Sequence, residues 1–277
     1  MTREELAAWL QLVQADGIGP DSARRLLAAF GLPEQILAQS RPALEQVVSS
    51  RQAEALRNPA PETLALIDTT WTWLHQPDDG LQRRVLTLGS PGYPASLLQM
   101  ADPPVLLYAL GQCDRLAASQ GIAMVGSRNP TPQGAINARQ FARAFADLGW
   151  TVISGLALGV DAAAHEGALS GFDAVVHAGP STIAVVGTGL DRVYPRQHRE
   201  LAHRIAQSGV LLSECPLGAP PLAHHFPQRN RIIAGLSHGV LVVEAAPQSG
   251  SLITARQASE QGKEVFAIPG SIHSPQS

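Results

Sequence analysis

Arginine, aromatic and amide side chains recur in two short segments whose chemistry suits a phosphate-bearing ligand. The first segment is LDRVYPRQHR, with Arg192, Tyr194 and Arg196. The second is FPQRNR, whose relevant residues are Phe226, Arg229, Asn230 and Arg231. Arginine binds phosphate through the several hydrogen-bond donors of its planar guanidinium group, and an aromatic ring offers a stacking surface for an unpaired base. Either segment alone is also compatible with a solvated helix that packs one aromatic side chain, so we interpret them together.

Small residues follow the predicted strands in the second half of the chain. They allow backbone amides to approach an anion closely, and each loop opens a helix whose N-terminus favours negative charge. For any one loop, a tight turn without a ligand is the more ordinary explanation, but several such loops at one sheet edge favour a phosphate-lined ligand. The candidate binding residues in these loops are Gly126, Ser127, Arg128, Ser154, Gly155, Gly187, Gly189, Ser249, Gly250 and Ser251.

Enzymatic alternatives find weaker support in the sequence. The stretch from Gly187 to Arg192 lacks the third glycine of a dinucleotide-binding G-x-G-x-x-G, and there is no Walker A lysine motif. Asp161 and His165 stand one helical turn apart, a spacing that more often orients loops than performs acid–base chemistry. Glu214 and Glu244 end strands as the glutamate of phosphoribohydrolases does, but the P-G-G-x-G-T-x-x-E loop of those enzymes is missing. We therefore predict no catalytic residue, metal or cofactor, with a nucleotide-binding or nucleoside-monophosphate-hydrolysing enzyme of related fold as the alternative.

The elements that must position these residues alternate between strand and helix. Two β segments, VLTLG and VLLYALG, precede six apolar strands that are separated by helices, which predicts a parallel sheet covered on both faces. The six strands are IAMVG, TVISG, TIAVVG, VLLSE, VLVVEAA and VFAIPG. Thr131-Pro132 has the composition of a helix start just after Arg128. The predicted fold is α/β, an extended Rossmann-like, doubly wound and mainly parallel sheet over residues 81–277.

The first eighty residues instead show apolar residues at helical spacing and predict a small all-α domain. Two glycines flank Ile18 in the segment from Asp16 to Pro20, which resembles a helix-hairpin-helix or SAM-like element. Such a hairpin could contact a DNA phosphate through its amides, or it could be an ordinary turn in a helical bundle. The stretch from Gln76 to Gly80 (QPDDG) supplies a boundary, so the predicted domains are 1–80 and 81–277.

Composition narrows the class of protein. The chain is 45% hydrophobic and 16% charged, which excludes general disorder. No apolar run approaches the roughly 20 residues of a membrane span, and the acidic N-terminus does not resemble a secretion signal, so we expect a cytoplasmic protein without membrane insertion. Two cysteines are too few for a disulfide framework or a four-thiolate zinc site. The net charge of −3 counts mildly against nucleic acid, and the arginines must be judged by position.

Six ordered segments together resemble the DNA-processing protein A family (DprA/Smf), over about half of the chain. They are VGSRNPTPQG, SGLALGVDAAAHEGAL, TIAVVGTGLDRVYPRQHREL, FPQRNRIIAGLS, VVEAAPQSGSLITAR and EVFAIPGS. The resemblance implies a protein that binds single-stranded DNA and loads a RecA-type recombinase onto it during natural transformation and recombination. It also implies a homodimer, built near the last strands and helices, without catalytic turnover.

The family's motifs carry over to particular residues of this chain. The arginine of G-S-R implies that Arg128 contacts phosphate, and the basic residue after Tyr-Pro implies the same of Arg196. The F-P-x-R-N-R block implies that Phe226, Arg229, Asn230 and Arg231 are pocket residues. The sequence departs from the family at Leu158, where arginine is common, and in an extra segment, FDAVVHAGP; it also stops soon after PG at 269–270, where the family usually continues.

Overall fold

The computed structural model describes residues 1–76, 80–174, 178–246 and 249–270. The chain divides into two compact units, of which one consists of Met1–Pro77 and Ala101–Leu106, and the other of Asp78–Met100 and Leu107–Ser277. The short segment at 101–106 therefore belongs with the helical unit, although no local pattern in the sequence marks it. Positions 77–79 of the predicted boundary lie outside the described residues.

Six α-helices form the described part of the first unit. They are α1 (Arg3–Gln14), α2 (Pro20–Phe30), α3 (Pro33–Leu37), α4 (Arg41–Leu44), α5 (Ser50–Arg57) and α6 (Pro61–Leu74). Thr2 and Glu5 form a capping box at the start of α1, so the first orphan amides of that helix are satisfied by side chains. Leu6 and Leu10 of α1 are fully buried, because their spacing of four residues places them on one face against the other helices.

The predicted hairpin between α1 and α2 is confirmed. Gly17 has a φ of +74°, a conformation that glycine adopts without steric cost. Pro20 is the first residue of α2, where its missing N–H costs nothing. The side-chain amide of Gln52 donates to the carbonyl of Gly17 (2.7 Å), so the turn is held by α5.

The predicted Rossmann-like, mainly parallel sheet of the second unit is confirmed, and the described residues give it eight strands. They are β1 (Gln82–Thr87), β2 (Leu106–Gly111), β3 (Gly121–Val125), β4 (Thr151–Ser154), β5 (Thr182–Val186), β6 (Val210–Ser213), β7 (Ser237–Val242) and β8 (Glu264–Ala267). Their order is β1-β2-β6-β5-β4-β3-β7-β8. The six strands from β6 to β8 in this order are parallel, whereas β2 runs antiparallel to β6. After β3, the chain adds β4, β5 and β6 on one side of that strand, and it then returns to add β7 on the other side of β3. Ligands of open α/β sheets bind at such a reversal.

Helices cover both faces of this sheet. The helices are α7 (Pro132–Asp147), α8 (Val160–Gly171), α9 (Arg199–Ser208), α10 (His225–Leu236) and α11 (Ser251–Glu260). On one face, α7 and α8 pack so closely that a Cβ added to Gly167 would lie 2.3 Å from the carbonyl oxygen of Arg139, and α9 packs beside α8. On the other face, α10 and α11 cover a separate apolar core that includes Ile232, Ile233 and Leu236. The predicted cap of α7 is confirmed, since the hydroxyl of Thr131 accepts the amide of Gly134 (3.0 Å).

No helix in the described ranges combines the length and the apolar character that crossing a membrane requires.

Candidate nucleic-acid interface

A cleft of about 850 Å³ opens where the sheet order reverses, beyond the carboxyl ends of β3 and β7. Residues of the loops after β3, β4, β5, β6 and β7 line it, together with residues of α8, α10 and α11. Ten of the candidate residues meet there: Gly126, Ser127, Arg128, Tyr194, Phe226, Arg229, Asn230, Ser249, Gly250 and Ser251. The structure thus brings together residues that are more than a hundred positions apart in the sequence.

Arg128, Phe226 and Tyr194 form a continuous group at the cleft. The guanidinium carbon of Arg128 lies 5.9 Å from the ring centroid of Phe226, within the range of a cation–π contact. The rings of Tyr194 and Phe226 have centroids 5.6 Å apart and an interplanar angle of 40°. Tyr194 remains 48% exposed, so its ring is accessible to a ligand. We call these three residues the aromatic–arginine group.

Arg128 and Arg196 are both exposed and engage no carboxylate among the described residues. Asp191, which stands near Arg196 in the sequence, pairs instead with Arg192 at 3.1 Å. Arg196 begins a short 3₁₀ turn (Arg196–His198) directly after Tyr194 and Pro195. Two guanidinium groups are therefore available to an anionic ligand, one within the cleft and one on the segment that carries Tyr194.

Four of the candidate small residues do not line the cleft and instead pack against the residues around it. Ser154 is fully buried and its hydroxyl donates to the carbonyl of Met124 (2.6 Å). A Cβ at Gly187 would lie 3.3 Å from Phe226, and a Cβ at Gly189 would lie 2.6 Å from the carbonyl of Pro216. A Cβ at Gly155 would lie 2.1–2.2 Å from the guanidinium of Arg229. The absence of side chains at these glycines lets neighbouring elements approach closely.

Arg229 and Arg231 are engaged within the protein. Arg229 is only 7% exposed, and its Nη1 donates to the carbonyl oxygens of Gly155 and Val185. Burial lowers the pKa of Arg229 to about 10, so the guanidinium stays charged at neutral pH. Arg231 donates to both carboxylate oxygens of Glu214, at 2.6 and 2.5 Å. Of the four pocket residues predicted in the F-P-x-R-N-R block, Phe226 and Asn230 line the cleft and are only half-buried.

Two helix starts that could have bound phosphate are occupied by the chain's own carboxylates. At the N-terminus of α7, Glu244 accepts the amide of Thr131 (3.1 and 3.2 Å) and its hydroxyl (2.9 Å). Before α8, Asp161 accepts the amides of Gly155 (3.1 Å) and Ala157 (3.2 Å). These internal anions satisfy amides that the sequence pattern assigns to a ligand, so the exposed arginines are the groups that remain available to an anion.

The start of α11 has a different environment. The hydroxyl groups of Ser249 and Ser251 lie 2.6 Å apart, and the side-chain amide of Asn230 donates to the carbonyl of Gly250 (3.3 Å). The hydroxyl of Ser249 also accepts the amide of Ser251, the first residue of α11 (3.3 Å). Gln248, which precedes these residues in the predicted loop, lies outside the described residues.

The residues that could suggest catalysis are likewise engaged in internal contacts. Glu214 and Glu244 bind Arg231 and Thr131, respectively. His165 is completely buried, its Nδ1 lies 2.7 Å from the hydroxyl of Thr182, and burial lowers its pKa to about 3. Within the described ranges, no three His, Cys, Asp or Glu side chains are grouped as a metal ion would require.

Sequence reasoning considered Asp161 and Glu244 only as weak catalytic alternatives and did not include them among the residues of the cleft. Asp161 lines it, and Glu244 closes the N-terminus of α7 beside it. The signal for Glu244 is the glycine at position 134: a Cβ there would lie 1.9 Å from the Glu244 carboxylate. That pairing joins residues far apart in sequence and is visible only in three dimensions.

Comparisons with known proteins agree with this architecture. A family model described as DNA recombination-mediator protein A matches residues 84–277. Protein Smf of Synechocystis sp. is 39% identical over 274 residues, which cover 98% of this chain and 66% of that protein. The chain therefore spans about two thirds of the length of this relative.

Solved structures match as well. The X-ray structure of DNA processing protein A from Streptococcus pneumoniae gives a TM-score of 0.79 at 33% identity, covering 100% of this chain and 89% of that chain. DNA processing protein A from Helicobacter pylori, for which a single-stranded DNA binding mode is described, gives a TM-score of 0.60 at 33% identity over 69% of this chain and 83% of that chain. With the family model covering most of the chain, this protein belongs to the DNA recombination-mediator protein A (DprA/Smf) family.

Proposed function

We propose that this protein binds single-stranded DNA in the cleft and loads a RecA-type recombinase onto that strand in the cytoplasm, during DNA uptake and recombination. The observation that carries the proposal is the aromatic–arginine group, in which Arg128 lies 5.9 Å from Phe226 and Tyr194 lies 5.6 Å from the same ring. It combines a phosphate-pairing charge with rings on which bases can stack. Membership of a recombination-mediator family and the likeness to the Helicobacter pylori protein support it.

Selectivity for a single strand follows from the accessible rings. A base can stack on Tyr194 or Phe226 only when it is unpaired, because a duplex hides the faces of its bases. Arg128 and Arg196 neutralise phosphates of either form and contribute affinity without reading sequence. We therefore expect arginines to supply the salt-dependent part of the affinity and the rings to supply the preference for a single strand.

A competition experiment tests DNA binding. A labelled oligonucleotide of thymidines is bound to the protein, and unlabelled single strand or duplex of matched length and sequence is added. We expect the single strand to displace the label at a concentration at least about tenfold lower, because stacking is worth about 1–3 kcal/mol per base. Equal displacement by duplex would contradict the proposed preference.

The protein is proposed to act without turnover, and the same preparation tests this. Incubation with nucleoside monophosphates should release no free base, whereas a nucleoside-monophosphate hydrolase of related fold would release it. The internal contacts of Glu214 and Glu244 favour the binding function. Base release that disappears in a Glu244→Gln variant would establish the enzymatic alternative instead.

Recombinase loading needs a separate assay. The rate of RecA filament formation on single-stranded DNA is measured with and without this protein, and with an Arg128→Ala variant. We expect acceleration by the parent protein and less acceleration by the variant, because a protein must hold the strand to deliver it. A parent protein that binds DNA yet leaves the rate unchanged would refute the loading step alone.

Homodimer formation is proposed through the last helix and strand. Leu252 and Ile253 on α11 are 36% and 40% exposed, and Val265 and Phe266 on β8 are 39% and 53% exposed. β8 is the terminal strand of the sheet order, and such a strand can pair with a second chain. Light scattering at micromolar concentration should give a dimer mass that a Phe266→Ser variant reduces. A monomeric mass for the parent protein would argue against the dimer.

A further inference from the structure

Beneath the cleft lies a buried pair of opposite charges, Asp161 and Arg229. Asp161 is 8% exposed and Arg229 is 7% exposed, although both line the cleft with part of their surface. We propose that these two residues are positioning residues, which hold the DNA-contacting segments in place and make no contact of their own with phosphate. This inference rests on the proposed binding of single-stranded DNA.

The first support for this proposal is that both residues hydrogen-bond to the backbone of the loop that follows β4. Arg229 donates to the carbonyl oxygen of Gly155, and Asp161 accepts the amide of the same residue (3.1 Å) and that of Ala157 (3.2 Å). Arg229 also donates to the carbonyl of Val185, near the end of the neighbouring strand β5. The ends of two parallel strands are therefore tied together through one guanidinium.

The fit of Arg229 requires glycine at position 155. A Cβ on Gly155 would lie 2.1–2.2 Å from three atoms of the guanidinium group. The next residue, Leu156, has a backbone φ of +61°, in the left-handed region that residues other than glycine rarely adopt. The loop is thus held in a backbone conformation that depends on its partners.

The loop is connected to the segments that we propose to contact DNA. The carbonyl of Leu156 lies 2.9 Å from Nδ1 of His198, in the 3₁₀ turn that begins with Arg196. At the start of α8, the amide of Val160 donates to the carbonyl of Ser127 (3.0 Å), next to Arg128. A displacement of the loop would therefore be transmitted to both exposed arginines.

Electrostatic attraction between the two buried charges gives the reason why both should be needed. Burial raises the pKa of Asp161, and the charge of Arg229 opposes that rise. Removal of either partner leaves the other charge buried without compensation, which is costly even where the pair itself adds little stability. The pair is suited to fixing the geometry of the site.

Asp161→Asn separates positioning from direct electrostatics because the two predict opposite signs. The substitution removes a negative charge from the cleft, which by charge alone should strengthen DNA binding. A positioning role predicts about tenfold weaker binding, equivalent to about 1.4 kcal/mol. Asp147→Asn serves as the control, since Asp147 lies on α7, is 56% exposed and pairs with Arg143. Binding by Asp161→Asn that equals or exceeds that of the control would overturn the proposal.

The salt dependence of Arg229→Gln gives a second, independent readout. Since a displaced loop would also move Arg128 and Arg196, the test is made in an Arg128→Gln/Arg196→Gln background, in which those contacts are already lost. Loss of a direct phosphate contact lowers the magnitude of the slope of log affinity against log salt by about 0.7, whereas loss of a positioning residue leaves the slope of this background unchanged. A further decrease of about 0.7 when Arg229→Gln is added would show that Arg229 contacts phosphate and would refute the proposal.

Each variant must be shown to be folded, and a conservative variant covers the case in which Arg229→Gln is not. Arg229→Lys keeps the buried charge and should bind single-stranded DNA more tightly than Asp161→Asn does. Tighter binding by Asp161→Asn would contradict the proposal. If the parent protein itself fails to bind single-stranded DNA, the proposed function is refuted. If the parent protein binds but the Asp161 and Arg229 variants give the contradicting results, only the positioning role is refuted.

Discussion

Replacing Arg128 by alanine is the most informative single change at the cleft. Its guanidinium carbon lies 5.9 Å from the Phe226 centroid, and no described carboxylate pairs with it. A hydrogen bond to a charged group contributes about 1.5–3 kcal/mol, so loss of one phosphate contact should weaken single-strand binding about tenfold or more at low salt.

The dependence of DNA affinity on salt concentration gives a sharper expected magnitude for the effect of Arg128→Ala. One phosphate contact to a single strand contributes about 0.7 to the salt slope, so the difference in affinity between parent and variant should shrink about 2.6-fold between about 50 and about 200 mM salt. The weakening should be similar for thymidine-only and mixed oligonucleotides, because a phosphate contact carries no sequence information. Fluorescence anisotropy over a salt series measures both quantities.

Two control variants separate charge from position. Arg128→Lys should preserve the salt slope while losing the bidentate geometry. Arg256→Ala removes an exposed arginine of α11 that pairs with Glu260 and does not line the cleft, so it should leave the slope unchanged. If Arg128→Ala binds like the parent protein with the same slope, the phosphate contact lies elsewhere and the assignment is wrong.

Three further predictions concern the rings, the α7 cap and the buried histidine. Phe226→Leu should weaken single-strand binding by about 1–3 kcal/mol without altering the salt slope, because it removes stacking and keeps every charge; an unchanged affinity would exclude this ring from the site. Gly134→Ala places a Cβ 1.9 Å from the Glu244 carboxylate, so thermal unfolding should show destabilisation of about 1–3 kcal/mol, whereas Gly19→Ala, at the N-cap of α2 with no atom within 4 Å of its Cβ, should destabilise less. Equal melting temperatures for the two variants would refute the steric argument. Burial lowers the pKa of His165 to about 3, below its unfolded value, so the unfolded state binds more protons and the free energy of unfolding should fall as pH drops from about 6.5, by about 1.4 kcal/mol per pH unit; denaturant titrations should show a shallower dependence for His165→Gln, and equal slopes would contradict this.

The sequence predicted the parallel sheet and its helices because each strand is a continuous apolar run bounded by small residues. The start of α7 was also predictable, since Thr131 and Pro132 carry their own capping chemistry. What these patterns share is that each signal is local. The hairpin around Gly17 is another example, because its turn depends on residues within the same short segment.

The engagement of charged residues could not be predicted in the same way. Arg229 and Arg231 stand in a segment as basic as that of Arg196, yet one is buried against two strand ends and the other binds Glu214. Whether an arginine faces a ligand or the interior depends on which distant carbonyls and carboxylates the fold brings near. The same holds for Glu244, whose partner Thr131 lies 113 residues away in the sequence.

Photocrosslinking tests the central claim, that a single strand occupies the cleft, most directly. A single-stranded oligonucleotide containing 5-iodouracil forms covalent bonds with aromatic side chains that its bases contact, and the crosslinked peptides can be identified by mass spectrometry. We predict that the major crosslinked peptides contain Tyr194 or Phe226 and that excess unlabelled single strand, but not duplex, suppresses them. Crosslinks confined to the helical unit, for example at Trp71, with none at Tyr194 or Phe226, would contradict the proposed binding site.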